Sequence, residues 1–259
     1  MPRDLQKVPK AHLHLHLEGA MRPETLTELC AKYGIERPAD TRGKRFPGFG
    51  PFVSTYAAAC DCLREEADLE RLITEVAEDA KADGALWIEV APSLESYAQN
   101  FGGIPGALKT LLMLASSIEQ QTGVGIGFII SIARHEPPAA AEELARAVRA
   151  EVDAGCTRIV GFGLHADEEG NPPEPFAGAF EIACGGTSPV LPMPHAGEIA
   201  PVPGGGPASV RFCVEALGAR RIAHGVLAAQ DGHSPSDSLR PLFEPFCHAL
   251  HRSFSCTLG

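Results

Sequence analysis

The 259-residue chain has no C-x-x-C pair, no run of Lys or Arg, and no apolar stretch long enough to cross a bilayer. Its eight cysteines stand scattered at 30, 60, 62, 156, 184, 213, 247 and 256. That scatter argues against a thiolate zinc site and against a disulfide framework, so the thiols read as reduced and mostly buried. A formal net charge of -11 without a basic cluster argues against binding nucleic acid through its phosphates. The most apolar run, Gly123 to Ala133 (GVGIGFIISIA), falls far short of the ~20 residues of a membrane span. The opening MPRDLQKVPK is charged and carries no apolar segment of secretory length, which makes a cytoplasmic location the expectation.

A Gly-rich phosphate turn after the first strand is also missing. Gly123-Val124-Gly125-Ile126-Gly127 precedes a strand, and Gly204-Gly205-Gly206 reads as a loop, so neither marks a nucleotide-binding turn. What the chain does have is a regular alternation of strand and helix patterns. Strands are expected at Ala11–Leu17, Ala85–Ala91, Gly125–Ala133, Arg158–Leu164, Val190–His195 and Arg221–Val226. Helices are expected from Pro23 to Gly34, over about 53–63 and 68–83, over 105–121 and 138–154, and over 174–183 and 207–217; residues 36–52 read as an exposed loop. Six β/α steps in register imply parallel strands covered by helices. A doubly wound sheet and a TIM barrel both satisfy that order, but polar residues gather at the predicted strand ends, which favours an α/β fold of the TIM (β/α)8 type with about six recognisable units. The domain is expected over residues 1–231, with 232–259 an atypical tail in which two further β/α units are not recognisable.

Three constellations carry chemistry. In AHLHLHLEGA, alternation places His12, His14 and His16 on one strand face and Leu13, Leu15 and Leu17 on the other. Two imidazoles two residues apart can converge on one cation if that face looks into a cavity. Pro194-His195-Ala196-Gly197-Glu198 places a ligand and an acid across a glycine, and Ile222-Ala223-His224-Gly225-Val226 ends another strand in His. Taken alone, His195 or His224 reads more readily as a structural residue than a catalytic one; together with His14 and His16, in this order, they make a much stronger signal for a metal ligand and an acid over one cavity. Glu89 is expected in a buried polar network, His12 deeper in the core, and His135 and His233 in loops.

KAHLHLHLEGA, PHAGE and RIAHGV together resemble the signature blocks of the adenosine deaminase family, zinc-dependent TIM barrels of the amidohydrolase superfamily. The resemblance runs from about Val8 to about Asp231, with Phe52–Tyr56 and Ala85–Pro92 also matching. It implies Zn2+ held by His14, His16 and His195, with Glu198 protonating the purine ring and His224 orienting and activating the attacking water. It also implies substrate contacts from His16, Glu18 and Ala166. The cytidine-type second motif, P-C-x-x-C, is absent. Three departures accompany the likeness. Glu18 stands where the family has an aspartate that meets the sugar, and Ala166, within GFGLHADE, stands where a glycine approaches the purine. No adjacent aspartate pair follows Asp231; Asp237, His248 and His251 receive no role.

The expected function is hydrolytic deamination of a 6-aminopurine, adenosine first, with a small purine as partner and neither nucleic acid nor membrane. A silent purine-binding protein and an amidohydrolase on a non-purine substrate are the alternatives.

Overall fold

The computed structural model describes residues 7–39, 49–198 and 206–229. Strand β1 (Lys10–His16) begins the wall. Its pairing with the next strand shifts register between Lys10 and Ala11 and again between His12 and Leu15, so the alternation expected to put His12, His14 and His16 on one face does not run unbroken through the strand. β2 (Ala85–Ala91), β3 (Gly125–Ala133), β4 (Ile159–His165) and β5 (Leu191–Pro192) follow, all parallel, in the order β1-β2-β3-β4-β5. A second parallel pair joins β6 (His195–Ala196) to β7 (Ala223–His224).

Helices cover the outer face. α1 (Pro23–Tyr33) has Pro in its first turn and ends at Gly34, whose φ of 66° suits a residue without Cβ. α2 (Phe49–Asp61) and α3 (Glu66–Ala82) precede β2, and α3 opens on a capping box between Glu65 and Asp68. Its Leu69, Leu72, Ile73, Val76 and Ala80 are buried, as their spacing requires; each large apolar side chain so buried contributes about 1.5–3 kcal/mol. α4 (Leu94–Tyr97), α5 (Gly103–Thr122), α6 (Pro138–Asp153), α7 (Ala177–Cys184) and α8 (Gly206–Glu215) complete the shell. No single helix among the described residues is long and apolar enough to cross a membrane.

β3 is buried along its whole length, an apolar run interrupted only by Ser131. Gly125 and Gly127 are required there. A Cβ on Gly125 would stand 2.4 Å, and one on Gly127 2.7 Å, from the Trp87 ring.

The structure corrects several expected boundaries. Val190–His195 is not one strand: β5 ends at Pro192 and β6 begins at His195, because Pro192 and Pro194 have no N–H for a ladder. The strand expected over 221–226 is only Ala223–His224, since His224 and Gly225 both adopt positive φ (69° and 63°). The expected loop over 36–52 gives way to helix from Phe49. His12 is not a core residue. Its ring is about one third exposed at the far end of β1, with Nε2 3.5 Å from Asp83. Gly204, Gly205, Asp231, His233, Asp237, His248, His251 and the expected tail lie outside the described residues.

Candidate active site

The site is assembled from strand ends. β1 delivers His14 and His16, β6 delivers His195, and β7 delivers His224, with Glu198 two residues past β6. One ring nitrogen from each of His14, His16 and His195 lies within 4.8 Å of the others, and the Nε2 atoms of His16 and His195 are 3.0 Å apart. His224 joins the group, its ring centroid 5.1 Å from that of His14 and 5.2 Å from that of His195.

The donor set fits a zinc ion. Nitrogens at about 2.1 Å from a tetrahedral ion stand roughly 3.4 Å from one another, so the rings need only small adjustments. Protonation agrees, since a ligand must be neutral. Burial, reinforced by the neighbouring imidazoles, holds His195 well below the usual histidine range and lowers His16 to about 3. Burial also lowers His14, with His224 and Arg221 adding to it. His195 Nδ1 lies 3.0 Å from the Leu164 carbonyl, a contact in which that nitrogen donates and Nε2 keeps its lone pair for the shared space.

Above the histidines opens a cavity of about 430 Å³, lined in part by His14, His16, His195, His224, Glu198 and Ala166. Phe52, Val53 and Tyr56 of α2 form its apolar side. Glu198 Oε1 lies 3.5 Å from His224 Nε2. Burial raises the Glu198 carboxyl above its usual range, the direction an acid needs if it is to carry a proton near neutrality. Ala166 has φ 71°, a glycine-like backbone in a residue that carries a Cβ. The local path of a glycine is therefore kept without the glycine.

Glu18 is placed differently from the sugar contact expected of it. The 3-10 turn Glu18–Ala20 buries its side chain, 1% exposed, and it does not line the cavity. Oε1 accepts from the Ser93 amide at 3.0 Å and the Tyr97 hydroxyl at 2.8 Å, while Oε2 accepts from the Tyr56 hydroxyl. Burial raises this carboxyl also. Glu18 thus holds the cavity wall from behind, through Tyr56.

Two histidines that line the cavity, His165 and His135, have no site role in the sequence reading. His165 ends β4, its ring parallel to that of His16 at 6.3 Å, and its Nε2 is 3.0 Å from Glu95 Oε1. The rule that gathered the other histidines, a polar residue at the end of a buried strand, also applies to His165. Glu89 stands in the expected polar network, bonded by Trp87 Nε1 at 3.2 Å and by Arg221. His135 follows β3 and lines the cavity from its loop.

Comparison with known proteins agrees with this geometry. The adenosine deaminase family model matches residues 9–244, past the boundary expected at 231. A putative adenosine/adenine deaminase of Streptomyces virginiae is 41% identical over 237 residues, covering 88% of this chain and 67% of that protein. The crystal structure of adenine deaminase from Arthrobacter aurescens superposes with a TM-score of 0.70 at 25% identity, over 86% of this chain and 66% of that one. An amidohydrolase from Burkholderia ambifaria, solved with bound Zn, superposes at 0.75 with 23% identity, over 95% and 64%. The chain spans about two thirds of the length of these relatives. The fold is that of the TIM-type deaminase barrels, as the order of strands and helices implied. With nine-tenths of its length matched and its histidines converging at one mouth, the chain belongs to the adenosine deaminase family.

Proposed function

We propose that this protein removes the 6-amino group of a purine by hydrolysis, with Zn2+ held by His14, His16 and His195. The observation that carries the reading is the meeting of three neutral imidazoles from β1 and β6 beside an acid and a fourth histidine, at the floor of one cavity. A zinc ion bound there supplies the acidity that makes water nucleophilic near neutral pH. The remaining steps fall to the chain. His224 orients the water and takes its proton as oxygen bonds to C6. Glu198, whose carboxyl burial raises, donates to the ring nitrogen so that charge does not accumulate on the purine. His224 then returns its proton to the departing amine. The C6–N bond breaks as the C6 hydroxyl becomes a carbonyl and gives its proton back to Glu198, and ammonia leaves with both residues restored. Ala166 offers a backbone N–H at the cavity edge, and the apolar side from α2 faces the ring.

Adenosine is the first substrate to test, and free adenine the second. The second reading is favoured by Glu18, whose two oxygens already accept from Ser93, Tyr97 and Tyr56 and so leave little for a sugar hydroxyl. The test is direct. The full chain is loaded with zinc, its metal content is measured, and ammonia release is followed with adenosine and with adenine. About one zinc per chain with ammonia from either substrate is the expected result. Purine binding without ammonia would show a silent binder instead, and the absence of both metal binding and purine binding would overturn the proposal.

A further inference from the structure

Two charged side chains in the loops after β3 and β4 have no part in the chemistry above, yet both are completely buried. Arg134 directly follows β3 and Glu168 lies three residues past β4; their side chains are 0% exposed and 3.6 Å apart. A buried pair of this kind is costly to desolvate and persists only where its hydrogen bonds are well used. Three of its bonds fall on the short segment 195–198. Glu168 Oε1 accepts from the Gly197 amide at 2.8 Å, and Oε2 accepts from the Glu198 amide at 3.0 Å. Arg134 Nη2 donates to the His195 carbonyl at 2.7 Å, and to Ser209 Oγ at 3.3 Å. Its Nη1 donates to the Asn171 carbonyl at 2.7 Å.

That segment needs holding. β6 is only two residues long, so its ladder with β7 fixes His195 and Ala196 and no more. Gly197 then turns the chain with φ 66°, where a Cβ would come within 2.8 Å of Val210. Beyond the ladder one backbone bond continues, from the Leu227 amide to the Gly197 carbonyl at 3.1 Å, and it leaves the amides of Gly197 and Glu198 to other partners. The two backbone amides and the carbonyl that bracket this turn are the groups taken by Glu168 and Arg134.

We infer that Arg134 and Glu168 are a positioning pair, which sets the third imidazole and the proposed acid in register across the Gly197 turn. The pair couples the loops after β3 and β4 to the end of β6; a further bond, Arg134 N–H to the His165 carbonyl at 2.9 Å, closes the set. The inference rests on the proposed deaminase reading for its catalytic consequence, but not for its geometric one.

Glu168→Gln tests it in the full 259-residue chain, because Gln keeps the shape but offers only one acceptor to two amides. Three readouts are taken: hydrogen exchange at the Gly197 and Glu198 amides, zinc affinity by competition with a chromophoric chelator, and kcat and KM for adenosine and adenine. Faster exchange at those two amides is expected, with a 10–100-fold loss of zinc affinity, the usual effect of removing a group that orients a ligand. A kcat loss of up to about 100-fold with KM changed by less than about threefold is also expected, as misplacement of a reacting group gives. If Glu168→Gln does not fold, Arg134→Lys and Ser209→Ala decide, with smaller losses in the same order. Unchanged exchange and zinc affinity in a folded variant, or a kcat loss that follows only the unfolded fraction, overturns the inference. If the parent chain releases no ammonia, the deaminase reading fails while the exchange and zinc arms still decide this one.

Discussion

The Nε2 atoms of His16 and His195 lie 3.0 Å apart although 179 residues separate them in the chain. Two imidazoles this close, with His14 beside them, make the group proposed to hold the ion. Replacement of either His14 or His195 by Ala removes one donor of three. Each variant is expected to lose stoichiometric zinc while retaining its circular dichroism spectrum. Metal content equal to the parent in both would disprove the assignment.

Acid should weaken the metal-free chain. His16 has its folded pKa at about 3, below the ~6.5 of an unfolded histidine. Between those values the unfolded chain binds the proton and the folded chain does not, so stability rises with pH. The contribution is complete above ~6.5 and declines as pH falls toward 3; His195, shifted the same way, adds to it. Urea midpoints measured without metal at pH 7.5, 6 and 5 should therefore fall in that order. His16→Gln should flatten the trend, and a slope identical to the parent would contradict the linkage.

The Glu18 network gives a stability test separate from catalysis. Tyr97→Phe removes one donor to a carboxylate that is wholly buried. A cost of about 1–3 kcal/mol is expected from the partner left short, read as a lower denaturation midpoint. A midpoint within error of the parent would mean that this bond contributes nothing net.

At Ala166 the direction reverses. Its φ of 71° belongs to the left-handed region, where a Cβ costs roughly 1–2 kcal/mol. Glycine relieves that strain but loses more backbone entropy on folding, so Ala166→Gly is expected to raise stability by about 0–1 kcal/mol. Ala166→Val should lower stability by more than ~1 kcal/mol because β-branched residues tolerate this region poorly. Thermal midpoints of the two variants should fall on opposite sides of the parent.

Gly163 offers the opposite case, a glycine required by space. A Cβ there would lie 2.3 Å from Ser131 Oγ and 3.0 Å from the Met193 carbonyl. Gly163→Ala is expected to cost about 1–3 kcal/mol through overpacking. An unaffected melting temperature would show that the β3–β4–β5 interior yields more easily than its contacts imply.

Much of this arrangement was legible in the sequence, and the parts that were not have identifiable causes. The limits of β2 and β3 followed from apolar runs, and the start of α1 from Pro23, because local pattern and tertiary burial agree there. The division of β5 from β6 was not read, although both prolines were visible, because a strand pattern takes no account of missing donors. α4 went unread because four residues leave too little periodicity. Convergence of His14, His16 and His195 was anticipated by strand-end logic. The posting of Glu18 behind Tyr56 was not, since alternation fixes a side chain's face only while the strand continues, and the chain leaves β1 at His16. Arg134 and Glu168 carry no signal in spacing; only burial reveals them.

The division between the two sheets has a mechanical consequence. Donors from β1 belong to one sheet and the donor from β6 to the other, so a cation shared among them ties both together. Such a tie resists unfolding in proportion to occupancy, by about 4 kcal/mol when free zinc exceeds its dissociation constant a thousandfold. Chelation would then act as a denaturant for this chain, loosening a seam as well as silencing a reaction.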